Sequence, residues 1–465
     1  MSGFQIWDFR FGIWDLKSRY RGSTVATPHS ALRIPHSFMS DIYAELDWRG
    51  LIHQSTDPNA LPGWLAKESR TLYAGFDPTA ESLHVGSLMG MMCLRRFQLA
   101  GHRPIALVGG ATGMIGDPSG KNEERNLLSV EQLEKNVQGM AAQMRRFLDF
   151  ECGDCSAELV NNYDWTREFS YLDFLRDVGK HFPVNVMMAK DSVKSRLGRD
   201  DAGISYTEFS YMLLQAYDFV HLRDEHGCEL QVGGGDQWGN ITAGIDLARR
   251  MRGAQLYGMT WPLLTKSDGT KMGKTESGTV WLAAELTSQY EFYQYWINVD
   301  DADVDPCLRL LTELDREEIE SLDAARSEAP EKRDSQCRLA EELTRLVHGE
   351  DGLRTAERAT DLFFGAEIAD LDDATLGTIF ADVPSKELPK TRLEGDGLNI
   401  LDALVEAGLA KSKGEARRTV QQGGGYVNNR RIESIDTQLH AEHLASESTM
   451  VLRSGKKRYA LLRFK

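Results

Sequence analysis

Residues in the first third of the chain have the types and spacing that phosphate chemistry requires. Asp77-Pro78-Thr79 ends one apolar run, and His84 stands directly before Val85 to Leu99, which has helical periodicity. A histidine at a helix start lies beside free backbone N–H groups and the positive end of the helix dipole, where phosphate binds. Gly86 would let a flat base approach the backbone closely. A lone histidine at such a place is more often structural, so this pattern indicates only a candidate phosphate site.

A glycine-rich segment, residues 109–121, follows a second apolar run. Its spacing is neither that of a P-loop nor that of the dinucleotide-binding fingerprint. The segment therefore predicts either a tight turn or a loop brought close to a ligand, with Asp117 directed inward. Lys121 and Arg125 stand four residues apart, which puts them on one face if they are helical.

Tyr211, Gln215 and Asp218 stand at positions i, i+4 and i+7 of a helical run, Glu208 to Val220, whose other members are largely apolar. That spacing puts the three side chains on one stripe of the helix. A polar stripe on such a helix is either its solvated face or the lining of a pocket. The pattern alone leaves both interpretations open.

Two further glycine-containing segments carry polar side chains. Three glycines, Gly233 to Gly235, follow an apolar run and precede Asp236 and Gln237. A loop with so few side chains suits backbone contact with a sugar or base. Lys271 and Lys274 lie in the second segment, residues 267–275. A basic loop is usually just solvated, but beside a phosphate site it could close over the ligand.

These candidate residues need a scaffold that brings them together. From about residue 70 to 262, short apolar runs alternate with helical patterns, and glycines follow the predicted strands. This alternation predicts an α/β fold with an open parallel sheet, which binds ligands at the carboxyl ends of its strands. From about 285 to 365 the chain is charged and helix-rich without a strand signal, and a small domain follows from about 397.

The composition excludes several classes of protein. Of the 465 residues, 41% are hydrophobic and 27% are charged, which excludes collagen-like, low-complexity and wholly disordered chains. No run approaches the ~20 apolar residues of a membrane-spanning helix, so no membrane partner is expected. The six cysteines are too sparse for a disulfide scaffold and fit a reducing, cytoplasmic location. Cys152 and Cys155 have metal-ligand spacing, but nothing completes a site, so we interpret them as an incidental pair.

The charge of the chain is unevenly distributed. The formal net charge is −16, yet residues 390–465 hold 14 lysines and arginines against 9 acidic residues. The remainder holds 40 against 61. A basic tail on an acidic body indicates binding of nucleic acid by that tail.

Together these segments resemble one family, the tyrosyl-tRNA synthetases of bacterial type, in class I of the aminoacyl-tRNA synthetases. His84-Val-Gly-Ser87 is similar to the family's "HIGH" signature, and Lys271-Met-Gly-Lys-Thr275 is similar to its "KMSKS" signature. Tyr73 to Asp77, the polar stripe of 211–218 and Gly234 to Trp238 resemble the tyrosine-specific form. The resemblance covers nearly all of the chain beyond residue 40.

Three polar positions of the signatures depart from the family pattern. Ser87 replaces the second histidine of "HIGH", and Gly273 and Thr275 replace serines of "KMSKS". A serine at position 87 can still form a hydrogen bond near the ribose of a nucleotide. Both signature lysines remain and they carry the charge, so we expect the chain to be active.

Pattern and resemblance together predict the domain organisation. A Rossmann-like catalytic domain is expected over 41–262, a KMSKS-type loop and linker over 263–288, and an α-helical domain over 289–380. A linker over 381–396 and a small α+β S4-like tRNA-binding domain over 397–465 follow. Residues 1–40 are expected to be an N-terminal extension that is disordered or artefactual, with Met39 as a candidate functional start.

The resemblance implies a tyrosine–tRNA ligase. Tyrosine would react with ATP to form tyrosyl-adenylate, and tyrosine would then pass to the 3′ end of tRNA(Tyr), with release of AMP and pyrophosphate. Mg²⁺ would accompany ATP, and no protein-ligated metal is expected. The family also implies a homodimer and no binding of DNA. Two alternatives are a tryptophan-activating class I relative and a catalytically inactive RNA-binding paralogue.

The resemblance also assigns roles to individual residues. The groups around the reacting phosphates would be Thr79, His84, Lys121, Arg125, Lys271 and Lys274. The ATP site would add Gly86, Ser87, Gly234 and Thr275, with Asp236 at the ribose. Tyr73 and Asp218 would contact the tyrosine phenol, Asp117, Tyr211 and Gln215 its ammonium, and Gln237 would lie near its carboxylate. The tRNA-binding residues would be Lys411, Lys413, Arg417, Arg418, Arg430, Arg431, Lys456, Lys457 and Arg458. Tyr426 and Tyr459 stand beside basic residues, which makes them candidate stacking platforms for unstacked bases.

Overall fold

The structure is a computed structural model of the chain, and it describes residues 41–119, 128–190, 193–194, 203–275, 278–368, 371–380, 383–456 and 458–465. The predicted extension, residues 1–40, lies outside the described residues. The chain divides into two compact units. The first comprises the described residues up to Thr287 together with Trp296–Val347, and the second comprises Ser288–Tyr295 and His348–Lys465.

Strands and helices alternate through the first part of the chain. Its strands are β1 (Gln54–Ser55), β2 (Thr71–Phe76), β3 (Arg103–Val108), β4 (Glu158–Asn161), β5 (Cys228–Gly234), β6 (Tyr257–Trp261), β7 (Lys274–Thr275) and β8 (Gly278–Thr279). Its helices are α1 (Ile42–Trp48), α2 (Leu61–Lys67), α3 (Val85–Leu99), α4 (Gly110–Ile115), α5 (Val130–Phe147), α6 (Tyr163–Thr166), α7 (Tyr171–Asp177), α8 (Val184–Met188), α9 (Tyr206–His226) and α10 (Trp238–Arg252).

The strands β1 to β6 form one sheet in the order β1-β6-β5-β2-β3-β4. Its neighbours are parallel except for β1, which runs antiparallel to β6. The strand order reverses between β5 and β2, and open α/β sheets bind ligands at such a switch point. Four of the six residues of β2 are buried, as expected for a strand that is covered on both faces. The predicted open parallel sheet is confirmed.

Two helices carry many of the candidate residues. The helix α9 begins after Ser205, whose hydroxyl accepts from the backbone N–H of Glu208, and it ends at Gly227 with a φ of 64°. Its apolar side chains pack with Tyr73 of β2 and with residues of α10 in one core. The helix α3 begins after His84, whose φ of −123° and ψ of 172° are extended. His84 therefore stands at the helix start, as predicted.

The helix-rich part of the chain contains α11 (Gln289–Ile297), α12 (Asp301–Leu311), α13 (Arg316–Glu328) and α14 (Asp334–Phe363). Within α14, Gly349 has a φ of 76° and a ψ of 179°, which interrupt the helical geometry. The boundary between the two units falls two residues before it. The helices of the predicted α-helical domain, 289–380, are therefore shared between the two units.

The rest of the second unit contains α15 (Asp373–Ile379), β9 (Ser385–Leu388), β10 (Leu398–Asn399), α16 (Ile400–Glu406), α17 (Lys413–Gln421), β11 (Gly425–Val427), β12 (Arg430–Arg431), β13 (Gln438–Leu439), β14 (Thr449–Ser454) and β15 (Arg458–Phe464). Five strands form a sheet in the order β12-β11-β14-β15-β9. Among the described residues, none of the helices combines the length and the apolar character needed to cross a membrane.

The interval 381–396, which we predicted to be a linker, contains the strand β9. This strand pairs in parallel with β15, and Leu388 at its end is buried in the apolar core of the sheet. The flanking Pro384 and Pro389 indicated a linker, but they lie outside the paired residues. Pairing with the last strand thus determines the structure of this interval.

Candidate active site

A cavity of about 260 Å³ lies at the carboxyl ends of β2 and β5. It is lined by ten of the predicted site residues, Tyr73, Thr79, His84, Ser87, Asp117, Tyr211, Gln215, Asp218, Asp236 and Gln237. They come from β2, the start of α3, the loop after α4, the helix α9 and the turn after β5. The polar stripe on α9 therefore lines a pocket, which answers the question that its spacing left open.

One part of the cavity is built around a buried carboxylate. Asp218 Oδ1 accepts a hydrogen bond from Trp165 Nε1 at 2.9 Å, and Oδ2 accepts from Asn162 Nδ2 at 3.0 Å. Burial raises the pKa of Asp218 to about 7, although these two hydrogen bonds lower it. The Tyr73 hydroxyl is buried too, and no described residue is hydrogen-bonded to it. This part of the cavity thus offers an oriented carboxylate and a phenolic hydroxyl that lacks a protein partner.

A second carboxylate lies within a network of amides. Asp117 is buried, its Oδ2 accepts from Gln237 Nε2 at 2.6 Å, and its Oδ1 accepts from the backbone N–H of Ser119 at 2.9 Å. Gln215 Nε2 donates to Gln237 Oε1 at 3.1 Å. The Oε1 atom of Gln215 is buried without a hydrogen-bond partner among the described residues. A buried carboxylate beside an unused acceptor suits a cationic ligand group.

Tyr211 belongs to a third polar group, one that its spacing did not predict. Its hydroxyl donates to Asp77 Oδ2 at 3.1 Å, and Thr112 Oγ1 donates to Asp77 Oδ1 at 2.9 Å. Asn162 links this group to Asp218, because its Nδ2 also donates to Thr112 Oγ1 at 3.0 Å. We had assigned no role to the side chains of Asp77, Thr112, Asn162 or Trp165. A polar residue directly after a predicted strand was the available signal for Asp77.

The basic loop lies against the start of α3. The backbone N–H of Val85 donates to the carbonyl oxygen of Val280 at 3.1 Å, and His84 forms an isolated β-bridge with Trp281. These contacts attach the residues that follow the basic loop (residues 267–275) to α3, which begins beside the cavity. The two segments similar to class I signatures are therefore neighbours.

The electrostatic effect of the loop reaches His84. Burial lowers the pKa of His84, and the nearby positive charges of Lys274 and Lys271 lower it further. The imidazole is therefore neutral near pH 7 and donates from one nitrogen only. A Cβ atom on Gly86 would lie 2.8 Å from His84 Cε1, so glycine is required for the imidazole to keep this position.

The departures from the family signatures have local structural counterparts. Ser87 Oγ accepts from the backbone N–H of His84 at 3.4 Å, and Thr275 Oγ1 donates to the carbonyl oxygen of Gly278 at 3.2 Å. Gly273 has a φ of 83°, and a Cβ atom there would lie 2.8 Å from the Cβ of Val85. Glycine thus suits this position, where a serine would be strained.

Three predicted site residues remain, Gly234, Lys121 and Arg125. A Cβ atom on Gly234 would lie 2.7 Å from Asp236 Oδ1, so this glycine leaves room for the carboxylate that lines the cavity. Lys121 and Arg125 lie outside the described residues.

The residues predicted to bind tRNA are exposed on the second unit, apart from Lys457, which lies outside the described residues. They are Lys411, Lys413, Arg417, Arg418, Arg430, Arg431, Lys456 and Arg458. Tyr426 is half-buried, with the guanidinium of Arg453 3.8 Å from its ring centroid. Tyr459 is buried and its hydroxyl donates to the carbonyl oxygen of Leu362 at 3.1 Å, so it is no exposed stacking platform and that prediction was wrong.

Comparison with protein families places the fold and the cavity in one class. Residues 66–365 match the model for tRNA synthetases class I (W and Y). Residues 379–462 match the model for the Tyrosine–tRNA ligase SYY-like C-terminal domain. The Rossmann-like sheet, the cavity at its switch point and the two adjoining signatures thus define a class I aminoacyl-tRNA synthetase.

Individual relatives define the family within that class. The tyrosine–tRNA ligase of Rhodopirellula baltica is 60% identical over 424 residues, which cover 91% of this chain and 96% of that protein. That of Roseiflexus castenholzii is 53% identical over 425 residues, which cover 91% of this chain and 100% of that protein. A truncated Aspergillus nidulans mitochondrial tyrosyl-tRNA synthetase has a TM-score of 0.63 at 30% identity, over 70% of this chain and 94% of that one. The chain belongs to the tyrosine–tRNA ligase family, which confirms the predicted enzyme class over the two alternatives.

Proposed function

We propose that the cavity binds tyrosine and ATP together and that tyrosyl-adenylate forms there. One observation carries the assignment, the buried carboxylate of Asp218 beside the buried hydroxyl of Tyr73, to which no described residue is hydrogen-bonded. A phenol between them would donate a third hydrogen bond to Asp218 and accept one from the Tyr73 hydroxyl. The test is ATP–pyrophosphate exchange with tyrosine as the only amino acid.

The amino-acid end of the substrate would lie among the amides. Asp117 would neutralise the tyrosine ammonium, and Gln215 and Tyr211 would accept further hydrogen bonds from it. The contact of Gln237 with Asp117 at 2.6 Å supports this arrangement, because it holds Gln237 beside the ammonium site and near the tyrosine carboxylate.

The reaction would need positioning and charge stabilisation rather than a general base. The tyrosine carboxylate is already ionised, so its oxygen attacks the α-phosphorus of ATP and the bond to pyrophosphate breaks. Thr79 and the neutral imidazole of His84 would donate hydrogen bonds to the phosphates. Lys271 and Lys274 would stabilise the negative charge that grows on the leaving pyrophosphate. A hydroxyl at the 3′ end of tRNA(Tyr) would then attack the activated carbonyl and release AMP.

The remaining assignments complete the nucleotide site. Asp236 would hold the ribose, with Gly234 leaving it room, and Gly86, Ser87 and Thr275 would border ATP. By resemblance Lys121 and Arg125 would also face the phosphates. Mg²⁺ would arrive on the phosphates of ATP and supply further charge neutralisation. Among the described residues, no group of three or more histidine, cysteine, aspartate or glutamate side chains forms a metal site.

The ionisation of Asp218 predicts how tyrosine binding depends on pH. Because burial raises its pKa to about 7, the Asp218 carboxyl is mostly protonated at pH 6 and mostly ionised at pH 8. Only the ionised form accepts a third hydrogen bond without losing those from Asn162 and Trp165. We expect the dissociation constant for tyrosine to fall roughly tenfold from pH 6 to pH 8. Calorimetric titration measures it, and a pH-independent affinity in the native protein would contradict this role.

We also propose that the C-terminal part of the chain binds tRNA(Tyr) in the cytoplasm. Its exposed lysines and arginines would displace counterions from RNA phosphates, which makes the affinity depend on salt. Point substitutions test this better than deletion of the tail. The apolar core of the second unit joins Ala359 and Leu362 of α14 to Val451 and Leu461, so a deletion would expose that core.

Replacing both Arg417 and Arg418 of α17 by alanine is expected to raise the KM for tRNA at least about tenfold, because two charged contacts are lost. The slope of log affinity against log salt concentration should decrease by about two, because two phosphate contacts are lost. The rate of pyrophosphate exchange should not change. Arg354→Ala, an exposed arginine of the same unit outside the tail, is the matched control. A tRNA KM that matches the control would remove α17 from the tRNA-binding surface.

We further propose that the chain forms a homodimer through the first unit. Large apolar side chains are exposed around α7 and α8, namely Tyr171, Leu172, Val184, Val186 and Met188, together with Tyr206 at the start of α9. The neighbouring hydroxyl of Tyr171 raises the pKa of Tyr206, so the two ends of this patch lie close together. A contiguous exposed apolar patch marks an interaction surface, and a second copy is the commonest partner.

Leu172→Glu is expected to convert the dimer to a monomer, because Leu172 is 74% exposed in this patch and a charge cannot be buried there without a partner. Analytical ultracentrifugation gives the mass directly. Phe364→Glu, which alters an 81% exposed side chain of the second unit, is the matched control. A dimer that persists in the Leu172 variant would place the interface elsewhere.

A further inference from the structure

Two thiols are held in contact outside the cavity, in the turn between α5 and β4. The sulfur atoms of Cys152 and Cys155 are 3.0 Å apart, and both cysteines are free. Gly153 reverses the chain with a φ of 88°. The backbone N–H of Ser156 donates to the carbonyl oxygen of Gly153 at 3.0 Å, and Ser156 Oγ accepts from the N–H of Gly153 at 2.9 Å. The turn itself therefore keeps the two cysteines together.

A buried glutamine fixes both ends of this turn to the body of the first unit. Gln98 of α3 donates from Nε2 to the carbonyl oxygens of Asp149 at 2.5 Å and Cys155 at 2.9 Å. Its Oε1 accepts from the backbone N–H of Asp149 at 3.0 Å, and its Nε2 lies 3.6 Å from the Cys152 sulfur. The distance between the sulfurs is thus set by hydrogen bonds to α3 rather than by chance encounter.

We propose that Cys152 and Cys155 are a modification site, a dithiol that a small neutral disulfide oxidises to an intramolecular disulfide. Cys152 is partly exposed and Cys155 is buried, so an external reagent reaches Cys152 first. The Cys152 thiolate attacks one sulfur of R–S–S–R and expels one thiolate. The Cys155 thiolate then attacks the Cys152 sulfur, closes the bond and expels the second. Two electrons pass to the reagent, and the two thiol protons leave with the two R–SH products.

The geometry favours a disulfide over a metal site. A disulfide bond is about 2.05 Å long, so the two sulfurs need to approach each other by only ~1 Å. The turn already holds them facing each other. A structural zinc site would need four ligands. Among the described residues, no group of three or more potential metal ligands includes this pair.

The surroundings of the pair set the conditions for the reaction. Burial, the contact with Cys155 and the charge of Asp149 together raise the pKa of the Cys152 thiol to about 12. The glutamine from α3 is uncharged, and Glu151 and Asp154 flank Cys152 in sequence. The thiolate fraction is therefore small at pH 7 and grows about tenfold per pH unit. A neutral disulfide should react faster than an anionic one, because the neighbouring carboxylates repel negative charge.

The test treats the full-length protein with excess 2-hydroxyethyl disulfide, quenches it with N-ethylmaleimide and digests it with trypsin. The peptide of residues 147–167 contains both cysteines and no other. We expect this peptide to lack both maleimides and to be two hydrogens lighter than the reduced peptide. Its rate of formation should rise about tenfold from pH 7 to pH 8. Oxidised glutathione, which is anionic, should react more slowly.

Three variants identify the thiols. Cys155→Ser should stop at a mixed disulfide on Cys152, whereas Cys152→Ser should leave Cys155 reduced. Cys337→Ser, at the other partly exposed cysteine, should form the internal disulfide as the native protein does. Two alkylated thiols in the native protein after prolonged exposure, a mixed disulfide that persists there, or a disulfide to another cysteine would each overturn the proposal. Binding of one equivalent of Zn²⁺ that protects both thiols would also overturn it in favour of a metal site.

Discussion

Replacement of Asp218 by asparagine is expected to lower kcat/KM for tyrosine activation by ~10³-fold. The change removes a charged acceptor for the substrate phenol and leaves one of two buried donors, Asn162 Nδ2 or Trp165 Nε1, opposite an amide NH₂ group. A lost charged hydrogen bond and an unsatisfied buried donor together amount to about 4 kcal/mol. ATP–pyrophosphate exchange at varied tyrosine concentration measures the effect.

A matched control separates the chemistry of Asp218 from the stability of its helix. Asp224→Asn removes a carboxylate from the same helix at an exposed position, where it pairs with Arg223 and Arg252. The control should retain native kcat/KM, and circular dichroism should show both variants folded. If Asp218→Asn has native kinetics, Asp218 does not contact the substrate.

Lys274→Ala is expected to lower kcat for adenylate formation by ~10²-fold while the KM for tyrosine hardly changes. The lysine is exposed in the loop next to His84, and its charge lowers the pKa of that histidine, so it lies close to the proposed phosphate site. A positive group that acts on charge developing at the phosphates is worth about 3 kcal/mol in the transition state. An interaction made only there lowers kcat and kcat/KM equally.

Lys266→Ala is the matched control for this loop, because it removes the lysine that directly precedes the loop and that we assign to no substrate. Single-turnover formation of adenylate distinguishes the chemical step from product release. An increase in tyrosine KM with an unchanged kcat for Lys274→Ala would contradict the proposed role, since it would indicate ground-state binding of the amino acid.

The sequence predicted the strands that form the centre of the sheet. The strands β2, β3 and β5 are buried runs followed by glycines or polar residues, which is the pattern that predicted the open sheet. The short strand β4 and the strand β9 were not predicted. Residues 385–388 are mostly exposed and gain their structure from pairing with β15, which lies about 75 residues further along the chain. Local pattern contains no information about such a partner.

The site was predictable in its residues but not in their contacts. The spacing on α9 put Tyr211, Gln215 and Asp218 on one stripe, and the structure shows this stripe lining the cavity. The hydrogen bonds of Asp218 come from residues 162 and 165, which follow the unpredicted β4, so nothing local indicated them. Tyr459 shows the opposite error. Basic neighbours suggested an RNA-binding aromatic, but the side chain points inward from β15 into the core.

The most direct test of the account is ATP–pyrophosphate exchange by the full-length chain with tyrosine, phenylalanine and tryptophan offered separately. We expect rapid exchange with tyrosine alone, because only a phenol both donates to Asp218 and accepts from the Tyr73 hydroxyl, which has no hydrogen-bond partner among the described residues. Phenylalanine would offer no donor to Asp218 and would leave the Tyr73 hydroxyl buried without a hydrogen bond, so its exchange should be lower by orders of magnitude. Exchange that is as fast with tryptophan or phenylalanine as with tyrosine, or no exchange with tyrosine, would contradict the account.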